Sequence, residues 1–387
     1  MSAETCSARQ CDLCGSRDTR TVIALDAVSM SSDSRILPVP IRKVECVECG
    51  LVRSDDCMSE SELADHYTEA YCLGAQAAQA EPLIFTADGT LTRSRAAMDW
   101  IYAALRRSGI TAPQSIMEVG CGEGSLMQRM IETFPNSRVA GVDLGHKSVE
   151  AASRNGLTVS QGGYETVTGS YDLIVAFAVI EHVPSPRDFL RHLLGKLTPD
   201  GVLLTLQPCQ DHCSYDVFFV DHLHHFFSDH FQAYAGICNA TEVYRDSDNP
   251  LIPNFSLHVL RPGSCAAPNH RPARRHIHET IAAWQRIFDA VDKWLAPIND
   301  NIIRVWGVGQ TFTFLQAYTG LRDARIEAAY DDNPDRFPAF DPRVGRFEER
   351  SKKTDEVPLL LTFAPSVAVR RRIEQAGQSF FTPFLDN

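Results

Sequence analysis

The sequence predicts an α/β protein. Its centre is a doubly wound, mostly parallel sheet, flanked by an N-terminal cysteine module and a second C-terminal α/β domain. Three observations carry this. From Ser115 to about residue 260, short apolar runs alternate with amphipathic ones, the signature of strands alternating with helices. The first such run, Ile116-Met117-Glu118-Val119, enters the glycine turn Gly120-Cys121-Gly122-Glu123-Gly124. Two CxxCG knuckles stand ahead of it, Cys11-Asp12-Leu13-Cys14-Gly15 and Cys46-Val47-Glu48-Cys49-Gly50.

The knuckles come first. Thiolates at i and i+3 on a tight turn can face one ion, and the glycine after each pair allows a left-handed backbone. Four sulfurs select Zn²⁺ in a reducing compartment. Cys11, Cys14, Cys46 and Cys49 are therefore the candidate ligands of a structural zinc, and a closed four-sulfur site leaves no open position for chemistry. No βαβ pattern surrounds either pair, which argues against a redox CxxC. Cys6, Cys57 and Cys72 read as ordinary thiols. The module spans 1–75.

Residues 76–92 read as a connector. Ala97, Ile101, Ala104 and Leu105 then mark a helix over 94–108. After the glycine turn, 125–134 reads as a helix. Val139-Ala140-Gly141-Val142-Asp143 is a second strand ending in a carboxylate, about 20 residues past the glycines, where an acid can accept both hydroxyls of a ribose. Gly163-Tyr164 follows a third apolar piece, and Tyr171–Phe177 is a strand whose exit loop holds Glu181-His182. Leu197-Thr198-Pro199-Asp200-Gly201 turns into a further strand. Residues 261–275 are rich in Pro and Arg and read as a linker. Ile277, Ile281, Trp284, Phe288, Val291 and Leu295 share one face of a helix that Pro297 ends. The expected division is 1–75, 76–260, 261–300 and 301–387.

The series EVGCGEG, GVDLG, DLIVAFAVIEHV and LTPDGVLLT resembles the class I S-adenosylmethionine (SAM) methyltransferases over about 115–245. The resemblance implies Gly120, Gly122 and Gly124 under the methionine part of SAM, Asp143 on the ribose, Gly163 and Tyr164 beside the adenine, and Glu118 organising the first loop. GxGxG in place of GxGxxG counts against an NAD-type domain.

The whole chain is similar to the sugar C-methyltransferases that act on nucleotide-linked 4-keto-deoxysugars. CDLCG, CVECGLV and ADHYTEAYC carry this at the N-terminus; Val305-Trp306-Gly307-Val308-Gly309, Tyr330-Asp331-Asp332-Asn333-Pro334 and LLLTFAPS carry it at the C-terminus. A carbon beside a ketone needs a base to become an enolate and a donor to hold the oxyanion. Candidates lie in Val220-Asp221-His222-Leu223-His224-His225-Phe226-Phe227, where three of the chain's 13 histidines fall within four positions. Asp221-His222 matches the family's Glu-His pair. His222 is the first candidate base, oriented by Asp221; His225 is the second, and His182 a substrate hydrogen-bonder. The same histidines could instead be structural. Two departures stand out: Val220 replaces the family's tyrosine, and Pro253-Asn254-Phe255-Ser256-Leu257-His258 replaces its Gly-Gly-Ser stretch.

Gly307 and Gly309 open a second glycine loop, with Asp331 and Asp332 about 20 residues on. A bound NAD, a structural turn, and (from the resemblance) a domain closing over the nucleotide of the substrate are the readings there. Arg370-Arg371-Arg372 reads as a solvated helix face. A net charge of −12 with no basic stripe argues against a nucleic-acid-binding zinc-ribbon regulator. No apolar run is long enough for a bilayer, and no secretory leader is visible at the N-terminus. The expectation is a cytoplasmic enzyme with a small-molecule substrate, a nucleotide-sugar by the resemblance, using SAM and zinc. N- or O-methylation of another biosynthetic intermediate is the alternative reading.

Overall fold

The protein is described from a computed structural model that covers residues 10–55, 68, 81, 83–86, 89–263, 277–337, 339–347 and 357–384. The tyrosine-bearing segment 64–72, apart from Thr68, lies outside the described residues, as do Cys6, Cys57, Cys72 and most of the linker.

The cysteine module is built on β1 (Thr19–Leu25), β2 (Ser29–Met30), β3 (Ile36–Leu37), β4 (Ile41–Cys46) and β5 (Val52–Ser54). β1, β4 and β5 form an antiparallel sheet. The fourth strand of that sheet comes from the histidine segment far along the chain: His224–His225 pairs antiparallel with Arg53 and Val52 of β5. Lys43 on β4 is fully buried. Its Nζ donates to Ser54 Oγ at 2.8 Å, to the Phe219 carbonyl at 2.8 Å and to the His222 carbonyl at 2.6 Å. Burying an ammonium is costly unless several acceptors meet it. Two of these acceptors are backbone of the histidine loop, so the charge holds that loop in place.

Where the sequence suggests a plain connector, the structure has a hairpin of β6 (Leu83–Thr86) and β7 (Gly89–Thr92). Its strands are too short, beside an Ala/Gln-rich stretch, to give a period-two signal. Thr92 then caps α1 (Arg93–Arg107) by accepting from Arg95 N. The central sheet follows: β8 (Ser115–Val119), α2 (Ser125–Thr133), β9 (Arg138–Asp143), α3 (His146–Arg154), β10 (Val159–Gln161), β11 (Tyr171–Phe177), α4 (Pro186–Leu194), β12 (Leu197–Pro208), β13 (His224–His225, in the module's sheet), α5 (Asp229–Ile237), β14 (Ala240–Asp246) and β15 (Phe255–Pro262). Its order is β10-β9-β8-β11-β12-β15-β14. The first five are parallel; β15 runs antiparallel to both β12 and β14. This is the doubly wound sheet expected, with the strand order reversing beside β8. In such sheets ligands bind beyond the carboxyl ends of the strands at that point.

The C-terminal part has α6 (His278–Leu295), β16 (Ile302–Trp306), α7 (Gln310–Tyr318), β17 (Arg325–Tyr330), β18 (Leu359–Leu361) and α8 (Val367–Gln375). Its parallel sheet runs β17-β16-β18. The helical stripe read from the sequence is buried as expected: Ile277, Trp284, Phe288, Val291 and Leu295 join one core with Ile23, Met30 and Val52 of the cysteine module. A second core ties Cys11, Leu13, Cys49 and Leu51 to Phe189, Phe231 and Tyr234 of the central domain. Apolar surface is thus shared across all three segments, which removes it from water in one packed unit.

Lys43→Met should take the ammonium from three acceptors, of which the His222 carbonyl keeps a bond from Ser54 Oγ at 3.2 Å. The expected loss is about 3 kcal/mol, read as a lower denaturation midpoint; an unchanged midpoint would show that the ammonium does not pin the loop.

Candidate functional site

The glycine turn lies at the end of β8. Gly120, Gly122 and Gly124 all have positive φ, at 72°, 53° and 84°. A Cβ on Gly120 would sit 2.4 Å from Val179 Cγ2, and one on Gly124 would sit 2.0 Å from Leu157 Cδ1. A Cβ on Gly122 would meet nothing within 4 Å. The outer two glycines therefore pack the turn against its neighbours, and the middle one faces open space. Asp143 closes the turn from the end of β9. Its Oδ2 accepts from Gly122 N and its Oδ1 from Gly145 N, each at 2.8 Å. Burial raises its carboxyl above the usual value, against those two backbone donors. Glu118 is buried, its Oε2 has no hydrogen-bond partner, and burial, then the Asp143 charge, raise it well above the carboxylate range. A buried polar atom left unpaired is costly, so this corner is built for a ligand that brings donors.

Gly163 and Tyr164 open a 3₁₀ turn after β10. The Tyr164 ring packs edge-on against Phe189 and His192 of α4, with centroids 5.0 and 5.7 Å away. The ring is half-buried, with one side packed on this core.

The histidine loop comes together around a residue that the sequence did not single out. Asp216 is buried, and its Oδ2 accepts from His225 Nδ1 at 2.8 Å and His222 Nδ1 at 3.2 Å. Its Oδ1 takes a hydrogen bond from Gln210 Nε2. Burial alone would raise Asp216, yet the two imidazoles hold it far below the carboxylate range. The expectation that Asp221 orients His222 therefore needs correction. His222 Nδ1 donates to Asp216, while the Asp221 carboxylate accepts from Ser32 N at 2.8 Å and Ser32 Oγ at 2.6 Å. A loop residue six positions upstream in an irregular turn carries no spacing signal.

The histidines differ in state. Burial pushes His222 down, but Asp216, Asp221 and Glu181 outweigh it and hold the imidazole above its ordinary value. Burial and the Lys43 charge push His225 down to about 3, and its Nε2 is buried without a partner. His182 places Nδ1 3.0 Å from the Asp221 carbonyl, and its ring meets that of His222 edge-on at 4.6 Å. Glu181 lies beside them; a carboxylate oxygen of Glu181 and a ring nitrogen of each histidine lie within 4.8 Å of one another. No spacing or period in the sequence marks Glu181 for this cluster.

The other two segments brace this cluster. Tyr215 donates to Gln310 Oε1 at 2.9 Å, and Gln310 Nε2 donates to the Ser32 carbonyl at 2.7 Å. A line of bonds thus runs from α7 through Ser32 to Asp221. Ser256 and His258 are buried within β15, with His258 stacked on Phe231 at 4.0 Å.

The four cysteines converge. Cys11 and Cys49 sulfurs are 3.5 Å apart, as are those of Cys14 and Cys46, and all four lie within 4.8 Å of one another. Tetrahedral zinc with bonds of about 2.3 Å needs sulfurs about 3.8 Å apart. Gly15 and Gly50 close the knuckles with φ of 76° and bonds to the Cys11 and Cys46 carbonyls. Four sulfurs this close oppose one another's ionisation. Such a set ionises together only around a cation. Asp12, inside the first knuckle, accepts from Ser185 Oγ at 2.8 Å and Arg187 N at 2.9 Å at the start of α4.

The second glycine loop repeats the Asp143 arrangement. Asp331 Oδ2 accepts from Val308 N at 3.4 Å and Oδ1 from Asn333 N at 2.8 Å. Asp332 instead pairs with Arg372 at 3.3 Å.

Comparison with known proteins agrees with the central sheet. Residues 91–249 match a family described as "Methyltransferase domain". The malonyl-[acyl-carrier protein] O-methyltransferase of Halalkalibacterium halodurans is 31% identical over 110 residues, covering 26% of this chain and 41% of that protein. The mitochondrial ubiquinone biosynthesis O-methyltransferase of Schizosaccharomyces pombe is 29% identical over 118 residues, covering 28% and 42%. The chain thus spans about two fifths of the length of these curated relatives. Among solved structures, magnesium protoporphyrin IX methyltransferase from Synechocystis PCC 6803 is 16% identical over 43% of this chain and 84% of that one, with a TM-score of 0.37. The middle of the chain is a methyltransferase domain of the class I, SAM-dependent type.

Asp143→Ala should raise the dissociation constant for SAM by about 10- to 100-fold, the worth of one or two charge-assisted hydrogen bonds. Calorimetry checks this, and unchanged affinity would remove Asp143 from the ribose.

Proposed function

We propose that the chain is a SAM-dependent methyltransferase for a small-molecule acceptor. The observation that carries the reading is the glycine turn, with its open middle position and unpaired Glu118, lying next to the buried imidazole–carboxylate cluster. Gly120, Gly122 and Gly124 would carry the methionine part of SAM, Glu118 would take its donors, and Asp143 would accept from the ribose. Gly163 and the half-buried Tyr164 would border the adenine. The bound cofactor supplies a methyl group already activated by a sulfonium charge. The protein's share is in-line positioning, exclusion of water and removal of one proton from the acceptor.

The finer reading is C-methylation of a nucleotide-linked keto-deoxysugar through an enolate. Its support is the likeness of the whole chain to that family, together with a cysteine module whose sheet includes the histidine strand. In this reading His222 takes the proton and Asp216 holds its Nδ1. His182 lies beside it to hydrogen-bond the acceptor. Asp221 acts through Ser32 and through its charge. His225 shares Asp216, but its affinity for protons lies too far below neutrality for it to serve as the base. A second reading, N- or O-methylation, is favoured by relatives that are named O-methyltransferases. There the same imidazole would take a proton from an atom that is already nucleophilic. The four cysteines would hold zinc as a structural ion.

Mass spectrometry of the enzyme with SAM and a panel of nucleotide keto-sugars tests the finer reading. Deuterium entering the acceptor carbon without SAM marks an enolate; methylation without such exchange favours the second reading. His222→Ala should abolish turnover and leave SAM binding intact, and wild-type turnover would remove it as base. Because Asp216 holds the proton on His222, turnover should climb as pH rises past the ordinary imidazole value. Asp216→Asn should move that limb to lower pH; an unmoved limb would show that another group titrates. Cys14→Ser should lose zinc, read by metal analysis, and lower the thermal midpoint. Full stability of metal-free wild-type protein would refute the site.

A further inference from the structure

Glu181 is the one carboxylate of the histidine cluster that the chemistry above leaves without a task. It is 1% exposed, and neither of its oxygens has a hydrogen-bond partner. Asp216 close by shows the contrast: its oxygens are taken by His222, His225 and Gln210. A buried carboxylate without donors is expensive, and its environment needs a reason. The groups facing it are His182 on its own turn, His222 and Asp216 on the histidine loop, and Arg93 at the start of α1.

Its place in the fold supplies the reason. Glu181 lies two residues after Val179, and Val179 is the side chain that a Cβ on Gly120 would strike. The segment 179–182 therefore backs onto the glycine turn that would hold the methionine part of SAM. The charge at the end of that part is a sulfonium. A sulfonium carries no N–H or O–H, so it brings a full positive charge and no hydrogen-bond donor. Without the cofactor, a carboxylate set against such a cation would look like Glu181: buried, close to the turn, with both oxygens bare. Glu118 also has a bare oxygen, but it sits on the strand before the turn and beside Asp143, where SAM and its demethylated product (SAH) are chemically alike.

We propose that Glu181 is the counter-ion of the sulfonium, giving up its proton when SAM binds and so distinguishing the charged cofactor from its neutral product. The inference rests on the SAM reading of the glycine turn. Burial pushes the Glu181 carboxyl up to about 7, with the His222 charge acting against it. At pH 7 the residue then holds its proton about half of the time. A positive charge placed beside it favours the ionised form and expels that proton. SAH brings no charge and leaves the proton where it is. After methyl transfer the charge is gone, Glu181 takes a proton back, and the product loses the attraction that held its precursor.

Linkage sets the sign. SAM affinity rises with pH through about 7, because deprotonation no longer has to accompany binding above that value. SAH affinity stays flat across the same range.

The test is calorimetric titration of the full-length enzyme with SAM and with SAH at pH 7, in two buffers of different ionisation enthalpy. The expected result is release of about half a proton per SAM and none per SAH. Glu181→Gln should make the two proton counts equal and cut the preference for SAM over SAH by about tenfold, the equivalent of one pKa unit of coupling. Glu181→Asp, which keeps the charge, should retain part of the SAM-linked release, a rescue that a packing role would not give. Equal proton counts for SAM and SAH in the wild type would overturn the assignment while leaving the SAM site standing. So would an unchanged preference in a folded Glu181→Gln. Failure of the wild type to bind either compound would overturn the SAM reading and this inference together.

Discussion

A buried ammonium holds the candidate site in place. Lys43 belongs to the cysteine module, yet two of its acceptors are the Phe219 and His222 carbonyls of the central domain. Beside it, His224 and His225 complete the module's sheet by pairing with β5. A charge taken out of water demands fixed acceptors, and a sheet edge demands a partner for its N–H and C=O groups. Both demands are met by the same short loop. The loop that carries the candidate base is thereby tied to a strand that begins only a few residues past the second cysteine knuckle.

This arrangement gives the cysteines a part in chemistry that they do not perform. A four-sulfur ion would fix the two knuckles, and the knuckles carry β5 and Asp12. Asp12 caps α4 through Ser185 and the Arg187 backbone. His230 on α5 reaches the Cys49 carbonyl at 3.1 Å. The C-terminal segment closes the third side, with Tyr318 donating to the Phe218 carbonyl and Trp284 to the Cys213 carbonyl. An ordered loop between three packed segments loses little further freedom when an acceptor binds, which is the physical content of preorganisation.

The electrostatics of the loop follow from unequal partners rather than from histidine as a residue type. His222 and His225 share one carboxylate oxygen, and both are buried. His222 also faces Glu181 and Asp221 and is raised; His225 faces Lys43 and is lowered. Two identical side chains three positions apart thus hold protons in opposite senses. Only one of them is suited to exchange a proton near neutral pH.

Much of the architecture was legible along the chain, because strands, helices and glycine turns are local and periodic. The strand from Ile116, the turn at Gly120–Gly124, the carboxylate at Asp143 and the apolar stripe from Ile277 to Leu295 each rest on neighbours within a few turns of backbone. Paired cysteines with flanking glycines are local as well. The hairpin at Leu83–Thr92 is not legible, since its strands are too short to show a period. What tertiary structure decided was which distant groups share a proton or a charge. Asp216 replaces Asp221 as the partner of His222 Nδ1, Ser32 claims Asp221, Lys43 anchors the loop, and Glu181 is stripped of donors. None of these has a sequence period, because hydrogen bonding and desolvation depend on distance in space, and a folded chain brings residue 43 as close to residue 222 as residue 216 is.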